Sequence, residues 1–73
     1  MDNSIKEARE KRNISQEKLA DKAGISRTHL SEIENNKVNP TLKVAFAIAH
    51  ALGLKVNQIF FADFVKHKQQ RSE

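Results

Sequence analysis

The side chains of this sequence that could do chemistry are hydrogen-bonding and charged groups rather than nucleophiles or metal ligands. The chain has no cysteine, and its three histidines, His29, His50 and His67, are not matched with carboxylates at the spacing of metal ligands. Its serines lie outside any nucleophile-elbow pattern, and two glycines are too few for a phosphate-cradling loop. These observations argue against an enzyme and predict neither a metal site nor a cofactor.

A cluster of polar side chains with varied hydrogen-bonding character lies in the middle of the chain. Its members fall on the outer side of one predicted helix: Ser26, Arg27, Thr28, Ser31, Glu32 and Asn35. Donors and acceptors arranged in this way are what contact with base edges in the major groove of DNA requires. The same set also fits an ordinary solvated helix face, so the surrounding elements must decide between the two interpretations.

The charge of the chain is compatible with a polyanionic partner but does not demand one. Thirteen Lys and Arg against nine Asp and Glu give a formal net charge of +4, which favours phosphates through counterion release. The same charge also lies in the range that keeps a small domain soluble. No apolar run reaches the roughly 18 residues of a membrane span, and the start of the chain lacks a secretory signal pattern. We therefore expect a cytoplasmic protein that makes no membrane contact.

Helical periodicity and capping residues predict one compact all-α domain of five helices over residues 1–67, followed by a flexible basic tail over residues 68–73. The predicted helices span residues 3–12 with Asn3 or Ser4 as cap, 16–23 with Ser15 as cap, about 27–35 with Ser26 as cap, and 41–52 with Thr41 as cap. A fifth helix is predicted with Asn57 as cap, running to about residue 67 and burying Ile59 and Phe60. Gly24 and Gly53 should end two of these helices, and Asn13 and Asn36 should adopt the left-handed conformation that asparagine tolerates.

The fourth predicted helix carries an apolar stripe and one position that the sequence leaves open. The stripe consists of positions 42, 45, 48, 49 and 52. Phe46 lies beside the small Ala45, so its ring either folds back to fill the missing volume or belongs to a surface for a partner. The sequence alone does not decide between these two placements.

The stretch from Ser15 to Asn35 resembles the helix-turn-helix of the Cro and phage-repressor family, also called the XRE family. The resemblance rests on Gln16, on Leu19-Ala20, on Ala23-Gly24-Ile25 at the turn, on Leu30 and Ile33, and on Glu34-Asn35. It continues through Pro40-Thr41-Leu42, Ile48-Ala49, Ala51-Leu52-Gly53 and Ile59-Phe60. The resemblance implies a lambda-repressor-like fold, with the helix-turn-helix formed by the second and third helices.

A role for individual residues follows when the polar cluster is placed on this fold. Arg27, Thr28 and Glu32 are predicted to read bases, while phosphates are predicted to contact Gln16, Ser26, Ser31, Asn35, Lys37 and Asn39. The resemblance further implies an ion pair between Arg9 and Glu34 that joins the first helix to the end of the third helix, which would read the DNA. A planar guanidinium suits such bidentate pairing with a carboxylate.

The function predicted from these features is a transcriptional regulator, a homodimeric repressor that reads a near-palindromic operator of double-stranded DNA. Phe61, Phe64 and Val65, at i, i+3 and i+4, form a second apolar stripe that a dimer interface would bury, and the alternative is that Phe64 caps the core. A restriction–modification controller or an antitoxin would share these features. The alternative from another class is a protein-interaction module that docks an unidentified protein partner through the apolar fifth helix.

Overall fold

The computed structural model describes residues 3–60 of the chain, and these residues form five helices. The helices are α1 (Ile5–Lys11), α2 (Gln16–Ala23), α3 (Arg27–Glu34), α4 (Leu42–Leu52) and α5 (Val56–Ile59). Over the same range, extended pairing is limited to one isolated antiparallel bridge between Asn3 and Phe60. The predicted all-α class is confirmed, and the prediction of a tail over residues 68–73 lies outside the described residues.

Three helices begin at the hydroxyl side chains that the sequence indicated as caps. Ser15 Oγ accepts a hydrogen bond from the backbone N–H of Lys18, Ser26 Oγ accepts one from His29, and Thr41 Oγ1 accepts one from Val44, at 3.1, 3.0 and 3.2 Å. Each bond satisfies one of the backbone donors that the first turn of a helix leaves unpaired. The starts of α2, α3 and α4 are therefore encoded locally.

The predicted left-handed residues end the helices or turn the chain after them. Gly24 and Gly53 have φ values of 74° and 72°, and Asn13 and Asn36 have φ values of 55° and 60°. A β-carbon built on Gly24 would meet nothing within 4 Å. Glycine is favoured there because of the backbone conformation, and not because of crowding.

The core forms where α2 packs against α3 and α4, and α4 packs against α5. It is entirely apolar in the described part of the chain and includes Ile5, Ala8, Leu19, Ala20, Leu30, Ile33, Ala45, Ile48, Ala49, Leu52, Ile59 and Phe60. The prediction that Ile59 and Phe60 are buried is confirmed. Because Leu30 and Ile33 are buried in this core, the opposite side of α3 faces the solvent.

The predicted apolar stripe of α4 is wrong at its first position. Leu42 is 54% exposed, and Phe46 one turn later is 57% exposed, so neither belongs to the core. The buried side of α4 is centred on Ala45, Ile48 and Leu52, and Leu42 lies at the edge of that side in the first turn of the helix. Of the two placements that the sequence left open for Phe46, the exposure excludes folding back over Ala45.

The bounds of the first and fifth helices also differ from the prediction. α1 begins at Ile5 and not at residue 3, because Asn3 Oδ1 accepts a hydrogen bond from the Ile5 N–H at 3.1 Å. The cap of α5 is Lys55 and not Asn57, since the Gln58 side chain accepts a hydrogen bond from the Lys55 N–H at 2.8 Å.

The fifth helix is shorter than predicted and ends at Ile59. Phe60 is extended, with φ −110° and ψ 115°, where the chain pairs with the N-terminal segment. The backbone N–H of Ser4 donates to Ile59 O at 2.9 Å. This pairing ends the helix, so the predicted continuation to residue 67 is wrong at residue 60, and the rest of that range lies outside the described residues.

Candidate nucleic-acid interface

A concave polar surface lies between the start of α2 and the outer side of α3. It is lined by Gln16, Arg27, Thr28, Ser31, Glu32 and Lys37. All three predicted base-reading residues and three of the predicted phosphate contacts therefore share one groove, which we call the polar groove. Its side chains offer cationic donors, hydroxyls, an amide and a carboxylate, and this mixture can form hydrogen bonds with both base edges and phosphates.

The groove owes its shape to the turn between α2 and α3. Ala20 is buried where the two helices meet, Gly24 adopts the left-handed conformation, and the backbone N–H of Ile25 donates to Ala20 O at 3.0 Å. In this arrangement the backbone carbonyl groups at the end of α2 accept hydrogen bonds from the residues of the turn. Ser26 can then begin α3 two residues after Gly24. The outer face of α3 is thereby presented beside the first turn of α2.

An ion pair joins α1 to the end of α3, as the sequence resemblance implied. Arg9 Nε donates to Glu34 Oε2 at 3.0 Å and Arg9 Nη2 donates to Glu34 Oε1 at 3.2 Å, so the pairing is bidentate. The side chains are only 12% and 4% exposed. Arg9 Nη1 also donates to Ile14 O at 3.2 Å, which ties the loop before α2 to the same cluster.

Gln16 connects this ion pair to the polar groove. Its Nε2 donates to Glu34 Oε1 at 3.2 Å, and its Oε1 accepts from Arg27 Nε at 3.4 Å. Because a carboxylate can only accept, Gln16 must turn its NH2 group toward Glu34 and its carbonyl toward Arg27. A chain of hydrogen bonds thus runs from Arg9 through Glu34 and Gln16 to Arg27, and the sequence pattern gave no sign of its last two links.

The remaining predicted phosphate contacts are exposed but are not among the residues that line the groove. Ser26 is exposed at the start of α3, Asn35 is exposed at its end, and Asn39 is exposed in the loop before α4. Asn35 Nδ2 donates to Ser31 O at 2.9 Å. Lys37 is exposed, and its backbone N–H donates to Glu32 O at 2.9 Å, which holds the loop against the end of α3.

Two polar side chains whose contacts sequence reasoning did not foresee position the ends of α3 and of α4. Asn3 Nδ2 donates to Ile33 O at 3.0 Å and to Asn36 Oδ1 at 3.1 Å, so the start of the chain braces the turn that follows α3. Arg12 Nε donates to Leu52 O at 2.9 Å and binds the C-terminal end of α4 to α1. Neither contact follows from spacing along the chain, since the partners are distant in sequence.

Within residues 3–60, no group of His, Cys, Asp or Glu is arranged to hold a metal ion. No helix in the same range is long and apolar enough to cross a membrane.

The helix-turn-helix family model matches residues 5–59, which include all five helices. The chain belongs to the helix-turn-helix family. This family membership confirms the resemblance to Cro and phage repressors that the sequence indicated. The helix-turn-helix consists of α2 and α3. The polar groove lies between the start of α2 and the outer side of α3.

Relatives in this family include regulators from archaea and phage. The chain is 45% identical over 60 residues to an uncharacterized HTH-type transcriptional regulator of Methanocaldococcus jannaschii, with 82% of this chain and 91% of the relative covered. It is 44% identical over 55 residues to the immunity repressor protein of Bacillus phage phi105, with 75% of this chain but 38% of the repressor covered.

The fold is similar to that of a chain in the solved SinR protein/SinI protein complex. The TM-score is 0.74 at 28% sequence identity, with 93% of this chain and 72% of the solved chain covered. The relatives from Methanocaldococcus jannaschii and phage phi105 are named as a transcriptional regulator and an immunity repressor.

Proposed function

We propose that this protein is a cytoplasmic transcriptional repressor that binds a double-stranded DNA operator as a homodimer, with α3 in the major groove. The observation that carries the proposal is the polar groove. It brings the predicted base-reading residues Arg27, Thr28 and Glu32 together with Gln16 and Lys37, although these residues come from two helices and a loop. Relatives named as transcriptional regulators and an immunity repressor support the regulatory role.

Each group in the groove has a chemical role in the proposed complex. The Arg27 guanidinium matches the paired O6 and N7 acceptors of guanine, Glu32 accepts from cytosine N4, and the Thr28 side chain offers a hydroxyl and a methyl group. Contacts to phosphates come from the backbone N–H groups at the start of α2 and from two sets of polar side chains. Three of these side chains line the groove, Gln16, Ser31 and Lys37, and three are exposed outside its lining, Ser26, Asn35 and Asn39.

Selection of bound sequences from random DNA duplexes tests the proposal directly. The parent should enrich a near-palindrome whose half-sites are about 34 Å apart, one turn of the double helix. Arg27→Ala should weaken binding by about 1–3 kcal/mol and relax the preference at one position in each half-site. If Arg27→Ala returns the parental operator without relaxation, Arg27 contacts phosphate and the assignment of its role is wrong.

The homodimer rests on the apolar stripe Phe61, Phe64 and Val65, which lies outside the described residues. Sedimentation equilibrium at tens of micromolar should give a dimer for the parent and a monomer for the Phe61→Ser, Phe64→Ser double variant. Phe46→Ser is the matched control, because it makes the same chemical change on the exposed face of α4. A monomeric parent, or dissociation caused by Phe46→Ser and not by the double variant, contradicts this interface.

A second candidate function, a module that binds a partner protein, is supported by one feature of the surface. Leu42 and Phe46 form an exposed apolar pair on α4, and the similar SinR chain was solved in a complex with the SinI protein. A protein-interaction module of this kind would not need a polar groove. Failure of the parent to enrich any DNA sequence would favour this second function over the first.

A further inference from the structure

Asn36 is an exposed residue in the turn that follows α3, and one end of its side-chain amide is engaged by the protein. Its Oδ1 accepts a hydrogen bond from Asn3 Nδ2 at 3.1 Å. Its Nδ2 makes no hydrogen bond with the residues that the structure describes. The next residue, Lys37, lines the polar groove. A hydrogen-bond donor is therefore left for a ligand beside the surface that we propose contacts DNA.

Backbone groups on both sides of Asn3 determine which end of the Asn36 amide is left for a ligand. Asn3 Oδ1 accepts from the Ile5 N–H at 3.1 Å, and Asn3 Nδ2 donates to Ile33 O at 3.0 Å. A backbone N–H only donates and a backbone carbonyl only accepts, so the Asn3 amide cannot turn over without losing both bonds. Its NH2 group therefore faces Asn36, which meets it with a carbonyl oxygen. The NH2 group of Asn36 is the end that stays available.

We infer that Asn36 is a further phosphate-binding residue of the DNA interface, and that Asn3 is the positioning residue that orients it. A phosphate oxygen only accepts hydrogen bonds, so it binds an NH2 group and is repelled by a carbonyl oxygen. The bond from Asn3 leaves Asn36 with the end that a phosphate can bind. This inference rests on the proposed function and adds to it a contact from a residue that sequence reasoning assigned only to a turn.

The backbone conformation of Asn36 does not by itself require an asparagine side chain. Its φ of 60° is left-handed, and glycine adopts that region more readily than any residue with a side chain. Asn13 has nearly the same conformation, with φ 55°, but its side chain makes no hydrogen bond within the described range. The two asparagines thus form a matched pair, of which only Asn36 has an oriented amide next to a residue of the polar groove.

The test compares affinities for the operator and for an unrelated duplex of the same length. Asn36→Gly removes the amide and keeps the left-handed turn without strain. We expect it to weaken both complexes about three- to tenfold, the range for loss of one hydrogen bond. The ratio of the two affinities should stay unchanged, because phosphates carry no sequence information. Asn13→Gly makes the same change at the control position and should leave both affinities at the parental values.

A second pair of variants and an NMR measurement test the orientation. Asn3→Asp keeps the acceptor for the Ile5 N–H but places an oxygen where the NH2 group faced Asn36, so the Asn36 amide should turn over. In this background, Asn36→Gly should cause no further loss of affinity. When the unrelated duplex is added, the side-chain NH2 resonances of Asn36 should shift in the parent and not in Asn3→Asp, while those of Asn13 stay in place in both. Far-UV circular dichroism establishes that each variant is folded.

The outcomes distinguish this contact from the proposed function. If the parent binds neither duplex, the proposed function fails and the contact fails with it. If the parent binds DNA but Asn36→Gly retains the parental affinities, or weakens the operator complex alone, Asn36 does not bind phosphate and the inference is overturned. If Asn36→Gly costs as much affinity in Asn3→Asp as in the parent, the positioning role of Asn3 is overturned.

Discussion

Removing one partner of the Arg9–Glu34 ion pair should cost far more stability than removing both. The Glu34 side chain is only 4% exposed in the parent, and in Arg9→Met the surrounding residues still bury its carboxylate. Of the three described groups that donate to this carboxylate, only the Gln16 amide remains. Breaking a buried pair in this way costs about 3–5 kcal/mol, whereas an apolar replacement of both partners is often neutral. A domain of this size has only about 4–10 kcal/mol of unfolding free energy. The single variant should therefore unfold at least about 12 °C below the parent.

The assay is urea and thermal unfolding followed by far-UV circular dichroism, because the chain has no Trp or Tyr for fluorescence. Lys6→Met is the matched control, since it removes an exposed charge from the same helix and should change the unfolding free energy by about 0.5 kcal/mol or less. The Arg9→Met, Glu34→Met double variant should recover most of the loss. An Arg9→Met protein within about 1 kcal/mol of the parent, or a double variant no more stable than Arg9→Met, refutes this reasoning.

Three further predictions concern the turn, the surface of α4 and the groove. Gly24→Ala should lower the unfolding free energy by about 1–2 kcal/mol because of its φ of 74° alone, and a loss above about 3 kcal/mol in urea unfolding would reveal crowding that the structure does not show. Phe46→Ser should change that free energy by about 0.5 kcal/mol or less, whereas Ile48→Ala should cost about 2–5 kcal/mol in the same assay; equal losses would contradict the outward placement of Phe46. Lys37→Ala should reduce the salt dependence of DNA affinity by about one counterion, measured by titration at several salt concentrations. Lys55 lies beyond the far end of α4, so Lys55→Ala is the control and should leave that salt dependence unchanged. If the two variants change the salt dependence equally, both lysines or neither lie near DNA, which contradicts the assignment of Lys37 alone.

Local signals account for the parts of the fold that the sequence predicted well. The bounds of α2 and the start of α3 depend on Ser15 and Ser26, whose side chains bond to the backbone three residues on. The left-handed turns at Gly24 and Asn13 likewise depend on single residue types. The grouping of Arg27, Thr28 and Glu32 in one groove follows from helical periodicity once α3 is known. These features could be predicted because each depends on residues that are close together in the sequence.

The features that the sequence did not predict depend on contacts between distant residues. α5 ends at Ile59 because Ser4 and Asn3 pair with the chain there, more than fifty residues away in sequence. Leu42 fits the apolar period of α4 but lies at the edge of the core, a position that only the packed helices define. The link from Glu34 through Gln16 to Arg27 requires the side-chain geometry of three helix positions at once, although each residue had been assigned a role separately.

The size of the polar groove explains why a second copy of the chain matters for the proposed function. Three side chains that read bases, each contributing about 1–3 kcal/mol, supply about 3–9 kcal/mol of discrimination. A genome offers about 10⁶ or more competing sites, and outweighing them requires about 8 kcal/mol or more. Phosphate attraction does not make up the difference, because it is nearly independent of sequence and because Glu32 opposes Arg27 and Lys37 in the groove. Two copies on a near-palindrome double the discrimination to about 6–18 kcal/mol, since contributions from well-separated base pairs are roughly additive. Over most of its range a single copy falls short of that threshold, so we expect loss of the dimer to abolish operator recognition while leaving the polar groove intact.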